Sequence, residues 1–153
     1  MKTFLRLQSA LFFVLLAAVA VAAPARKHSQ AAPEFQYVGG TQQPQERCDG
    51  QLALTQTAMT FACPEGRVTA PYKSIVLMEY RSRLSRRVRH MKLAWTLKPP
   101  RGGGGHNRFF TVVFQAGNQR QAMVLKVSAA TLRPYLAELD LRVGRRVDVE
   151  RFY

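Results

Sequence analysis

The amino-acid sequence predicts a small, mainly β domain, an antiparallel barrel or sandwich of about seven strands with one C-terminal amphipathic helix. Three observations predict it. Apolar residues from Leu52 onward alternate at period two with turn residues between the runs; a single later stretch switches to an uninterrupted helical period; and the chain is long enough for one domain behind an export segment.

Residues 1–22 read as a cleavable secretion signal. Lys2 and Arg6 give a positive start, Leu11 to Ala22 is apolar and uncharged, and Ala20 and Ala22 stand in the A-x-A relation that a signal peptidase accepts. A retained membrane anchor is the rival reading, but a span needs roughly 20 apolar residues. Gln8 and Ser9 confine this run to the fourteen from Ala10 to Ala23. No cysteine near the cut offers a lipid anchor. Residues 23–46, rich in Pro, Gln and Ala, bury too little to offset ordering entropy and read as a flexible leader. The domain is then 47–153, exported to a periplasm or to the cell exterior, with no membrane span after cleavage.

Two cysteines remain, Cys48 and Cys63. In an oxidising compartment such a pair tends to close. A loop of about 15 residues is worth roughly 3 kcal/mol in the chain-entropy model. Free thiols are the alternative; without a nearby histidine the pair makes only half a zinc site.

Leu52 and Leu54 are answered by Met59 and Phe61 across the polar Thr55, Gln56 and Thr57, which reads as a hairpin that brings Cys48 towards Cys63. Val68 to Ala70 is a short strand stopped by Pro71. Ser74 to Tyr80 is a central strand, with Ile75, Leu77 and Glu79 on one face and Val76, Met78 and Tyr80 on the other. The next segment carries two periods. Leu84, Val88, Met91 and Trp95 recur at helical spacing, while Met91, Leu93, Trp95 and Leu97 alternate. Residues 91–97 are read as strand and 81–90 as an arginine-rich connection. Pro99, Pro100 and Gly102 to Gly105 make a loop. Phe109 to Gln115 and Ala122 to Val127 pair around a Gly117-Asn118 turn. Leu132, Tyr135, Leu136, Leu139 and Val143 form a helical stripe, with Thr131 as cap, Pro134 in the first turn and Gly144 as stop. The tail from Arg146 to Phe152 alternates as a final strand.

Phe110-Thr-Val-Val-Phe114, Gln121-Ala-Met-Val-Leu-Lys-Val127, Thr131-Leu-Arg-Pro-Tyr-Leu-Ala-Glu-Leu139 and Gly144-Arg-Arg-Val147 resemble the small exported bacterial proteins with a pleckstrin-homology-like (PH/GRAM-like) domain. Leu52-x-Leu54 and Pro71-Tyr72-x-x-Ile75 fit the same pattern, so the resemblance covers about residues 48–152. It implies a PH-like fold. Phosphoinositide-binding members of that superfamily carry basic residues between their first two strands. Thr55-Gln-Thr-Ala58, taken as that loop, has none, which argues against the familiar inositol-phosphate site.

Charge is the most unusual feature. The chain has 23 basic and 9 acidic residues; without Lys2 and Arg6 the balance is 21 against 9, or +12. Between Tyr80 and Ala137 there is no Asp or Glu but twelve Lys and Arg, five of them Arg81, Arg83, Arg86, Arg87 and Arg89, followed by Lys92. These six are the candidate anion-binding residues. Such a cluster attracts polyanions through its field and through counterion release, and arginine favours paired contacts with phosphate. Outside the cytoplasm the candidates are anionic lipid head groups and polysaccharide. Nucleic acid is disfavoured, because Trp95, Phe109 and Phe110 read as strand core and not as a stacking platform. A solvated basic loop without a partner is equally compatible with the composition, and a structural or protein-interaction domain using a sheet edge or the helix groove is the alternative function.

Enzyme readings find little footing. His28, His90 and His106 lie beside no candidate carboxylate in sequence. Glu138, Asp140, Asp148 and Glu150 occupy positions read as solvent-facing, and the glycines lack the Lys-Ser or Lys-Thr ending of a phosphate loop. The expectation is no catalytic residue, no metal and no cofactor.

Overall fold

The structure, a computed structural model, describes residues 35–102 and 106–150. The secretion signal and the leader up to residue 34 lie outside the described residues. The strands are β1 (Phe35–Gly40), β2 (Cys48–Leu54), β3 (Ala58–Cys63), β4 (Gly66–Pro71), β5 (Ile75–Arg81), β6 (Asn107–Ala116), β7 (Gln119–Ser128) and β8 (Asp148–Val149). The helices are α1 (Arg86–Arg89) and α2 (Ala129–Val143), and a single 3₁₀ turn covers Tyr72–Ser74.

The strands form one sheet in the order β4-β3-β2-β1-β7-β6-β5-β8. All pairings are antiparallel except β5 with β8, which is parallel, so the sheet is mixed. Its hydrogen bonding runs from edge to edge without closing, which corrects the expectation of a barrel. The mainly β class and the single long C-terminal helix stand.

Part of the expected leader is structural. Phe35, Tyr37 and Val38 are buried, and β1 pairs with β2 on one side and β7 on the other, in the middle of the sheet. Tyr37 stacks on Phe61 with ring centroids 5.8 Å apart. Burial pushes its phenol up to about 12, so it stays protonated and donates to the Gln42 carbonyl at 3.3 Å.

Two apolar clusters lie on opposite faces. The larger joins side chains from β1 to β7, among them Phe35, Phe61, Phe110 and Met123, with Leu132 and Leu139 of α2. The expected hairpins β2–β3 and β6–β7 are present, with Leu52 opposite Phe61 and Phe110 opposite Leu125. A register shift between Ile75 and Leu77 alters the expected faces of β5: Ile75 joins Met78 and Tyr80 in the larger cluster, while Val76 sides with Leu77.

The apolar stripe of α2 is as expected, but it starts earlier. Ser128 is the cap, its hydroxyl accepting from the Thr131 N–H at 3.1 Å, so Pro134 sits past the first turn. The carbonyl it leaves without a donor belongs to Ala130, an exposed residue that water reaches. Gly144 ends the helix at φ 68°, a conformation that costs a side-chain-bearing residue and not glycine.

Candidate anion-binding site

The second apolar cluster positions the basic connection. Val38, Leu77, Phe109, Val113, Ala122 and Val124 face away from α2, and the segment after β5 packs across them. Leu84 and Val88 are buried there, and Met91, Leu93 and Trp95 are partly buried. Full burial of a side chain of the Val or Leu type stabilises by about 1.5–3 kcal/mol, so the segment is held to the sheet. α1 is a single turn capped by Ser85, whose hydroxyl accepts from the Val88 N–H at 3.2 Å.

Residues 91–97 are not the expected strand. Their side chains alternate between partly buried and exposed, but a single bridge, Leu97 to Gly40, ties them to the sheet. The Gly40 N–H donates to the Leu97 carbonyl at 2.9 Å, and the Gly40 carbonyl accepts from Thr96 and Leu97. The approach is close enough that a Cβ on Gly39 would lie 2.6 Å from Pro99 Cβ. Trp95 is partly buried on the second cluster and lines a cleft, and is not strand core, whereas Phe109 and Phe110 are buried as expected.

Acidic groups are confined to the root of this segment. Glu79 is buried and accepts from the Ser85 N–H at 3.1 Å. Asp148 of β8 pairs with Arg81 at 2.6 Å, and Glu150 accepts from the Ser82 N–H at 2.8 Å. That backbone hydrogen bond is the main reason the Glu150 carboxyl is held below its ordinary range. Arg81, one of the six candidates, is thereby engaged in holding the tail and is set apart from the others.

Beyond the root, Arg83, Arg86, Arg87, Arg89 and Lys92 are exposed and form no salt bridge among the described residues. Two clefts flank α1. One, of about 890 Å³, is bounded by Arg87, His90 and Lys92 on one wall and by the β6–β7 turn with Arg120 on the other. Thr41 and Gln121, hydrogen-bonded to each other, add polar lining. The second, of about 460 Å³, has Arg83, Arg89, Lys98 and Arg101 around an apolar floor of Leu84, Trp95, Pro99 and Pro100. Among the described residues, neither is lined by a carboxylate.

The structure thus divides the candidates: Arg87 and Lys92 line the first cleft, Arg83 and Arg89 the second, and Arg86 lines neither. Arg120, Lys98 and Arg101 join them, although no residue run singled them out. Arg120 lies 28 positions beyond Lys92, and only the sheet brings them together. The other site expectation, the Cys48–Cys63 disulfide, is present and links the start of β2 to the end of β3. Among the described residues, no helix is long and apolar enough to cross a membrane.

In comparisons with known proteins, no family model matches this chain, and neither does any curated protein.

Proposed function

We propose that this chain is an exported, non-enzymatic binding module of PH-like fold that meets an anionic surface, lipid head groups or polysaccharide, through the basic face around α1. The observation that carries this reading is the pair of carboxylate-free clefts on either side of a segment whose apolar underside is fixed to the sheet. The apolar underside covers the second cluster of the sheet, and that seating fixes where the cations of the segment stand. Several cations without a salt bridge among the described residues act together on an extended anion, at about 1 kcal/mol per Lys or Arg near an anionic membrane.

Other observations support parts of the proposal. Seven strands followed by α2 suit a PH-like domain, to which β8 is an addition. With β1 in place, the connection between the first two strands is 41–47, where Arg47 stands beside Glu46, so the anion contact falls to the α1 face instead. The disulfide fits an oxidising compartment. The non-enzymatic reading draws on the carboxylates: Glu138 pairs with Arg142, Asp140 accepts from the Val147 N–H, and Asp148 and Glu150 hold the tail.

Binding to anionic vesicles or to lipopolysaccharide is expected to fall steeply with salt. Combined Arg83→Gln, Arg86→Gln, Arg87→Gln and Arg89→Gln should weaken it by roughly two to three orders of magnitude. Unchanged binding by this variant in co-sedimentation would sink the proposal. Retention of one envelope protein at high salt would favour instead a protein-interaction domain using the free edge of β4.

A further inference from the structure

The two clefts differ in chemistry, and the difference narrows the ligand. The larger mixes apolar side chains, Val76, Met91 and Ala94, with neutral polar groups, Thr41, Gln121 and the β6–β7 turn among them, which the smaller lacks. The smaller combines cations at its rim with a floor of Leu84, Trp95, Pro99 and Pro100. A polysaccharide sulfate or phosphate would find partners at either rim but would gain nothing from an apolar floor. A nucleic acid would stack on Trp95, but single-strand binders use aromatic rings in succession, and here one ring stands among aliphatic side chains and prolines.

We infer that the Trp95 cleft holds a single anionic lipid, its phosphate between Arg83, Arg89, Lys98 and Arg101 and the first part of its acyl chains on Leu84, Trp95 and Pro99. Charge complementarity selects the head group, since four cations and, among the described residues, no carboxylate line the cleft. Burial of methylenes on the floor adds affinity that a bare phosphate ester lacks. The inference rests on the basic face being a binding face, and it names the lipid as the ligand there.

Trp95 is the sole tryptophan of the chain, so its fluorescence reports this cleft directly. The probes are short-chain phosphatidylglycerol below its micelle concentration, phosphatidylcholine of the same chain length, glycerol phosphate, dextran sulfate and a single-stranded oligonucleotide. The anionic lipid is expected to shift Trp95 emission saturably to shorter wavelength. Affinity should rise about fourfold with each methylene that reaches the floor. Glycerol phosphate and phosphatidylcholine should bind at least about tenfold more weakly. The surface variant Arg89→Gln with Lys98→Gln should weaken lipid binding about tenfold or more while leaving the far-ultraviolet circular dichroism unchanged.

Affinity independent of chain length, glycerol phosphate binding as well as the lipid, or an equal Trp95 response to the oligonucleotide or dextran sulfate would overturn the inference. If dextran sulfate binds with a steep salt dependence while the lipid leaves Trp95 unmoved, the lipid assignment fails and the basic face stands. If no anion binds at all, both fail.

Discussion

Gly40→Ala is expected to destabilise the domain by about 1–3 kcal/mol, the usual cost of an extra methyl group in a packed site, and to loosen the basic segment with it. A Cβ there would overlap the Tyr37 hydroxyl and lie 2.9 Å from the Ala122 carbonyl oxygen. Tyr37 has no room to retreat, being fully buried and stacked on Phe61. Backbone conformation is not the obstacle, because Gly40 has no positive φ. Movement of Gly40 would also disturb its hydrogen bonds to Thr96 and Leu97, the ties that seat the wall of the Trp95 cleft. Urea unfolding should show the lower midpoint, and Trp95 emission should shift to longer wavelength in the folded variant. An unchanged midpoint would mean that Gly40 does not lie against the Tyr37 hydroxyl and the Ala122 carbonyl as described.

Cys48→Ser with Cys63→Ser should lower stability by about 3 kcal/mol, from a disulfide that closes residues 15 apart. It joins β2 to β3, whose hairpin contributes Leu52, Met59 and Phe61 to the main core. Denaturant unfolding with and without reductant separates the bond from any side-chain effect. Reductant should bring the wild-type midpoint down to that of the double variant and leave the variant itself unmoved. A wild-type protein indifferent to reductant would contradict this.

How much of this was legible in the sequence depended on whether the signal was local. The hairpins β2–β3 and β6–β7 pair alternating residues across short turns, so their apolar positions pointed to them directly. The stripe of α2 and its Gly144 stop were equally plain. β1 was not, because its burial comes from neighbours far along the chain: Gln36 lies opposite Lys126, ninety positions away, and the flanking Pro and Gln residues drown a six-residue strand. In residues 84–97 each period reported burial against the sheet and not a long element. Of the helically spaced Leu84, Val88 and Met91 only Val88 lies within the single turn α1, all three facing the sheet, and the later alternation reflects one-sided burial. Alternation reports which side is covered; it does not by itself require a hydrogen-bonded ladder.

The site was half visible for the same reason. A run of arginines shows where positive charge is dense but not which cation is already paired. Asp148, which engages Arg81, is 67 residues away. Nor does the run show what else the fold delivers to the same place, such as Arg120 across the first cleft or the apolar floor beneath the second.

The central claim, that the face around α1 is the binding face, is tested most directly by mapping backbone amide resonances of isotopically labelled protein during titration with anionic lipid. The account predicts shifts confined to residues 83–101 and to the β6–β7 turn around Arg120, diminishing as salt is raised. Shifts centred on α2 or on the β4 edge, with residues 83–101 unmoved, would contradict it.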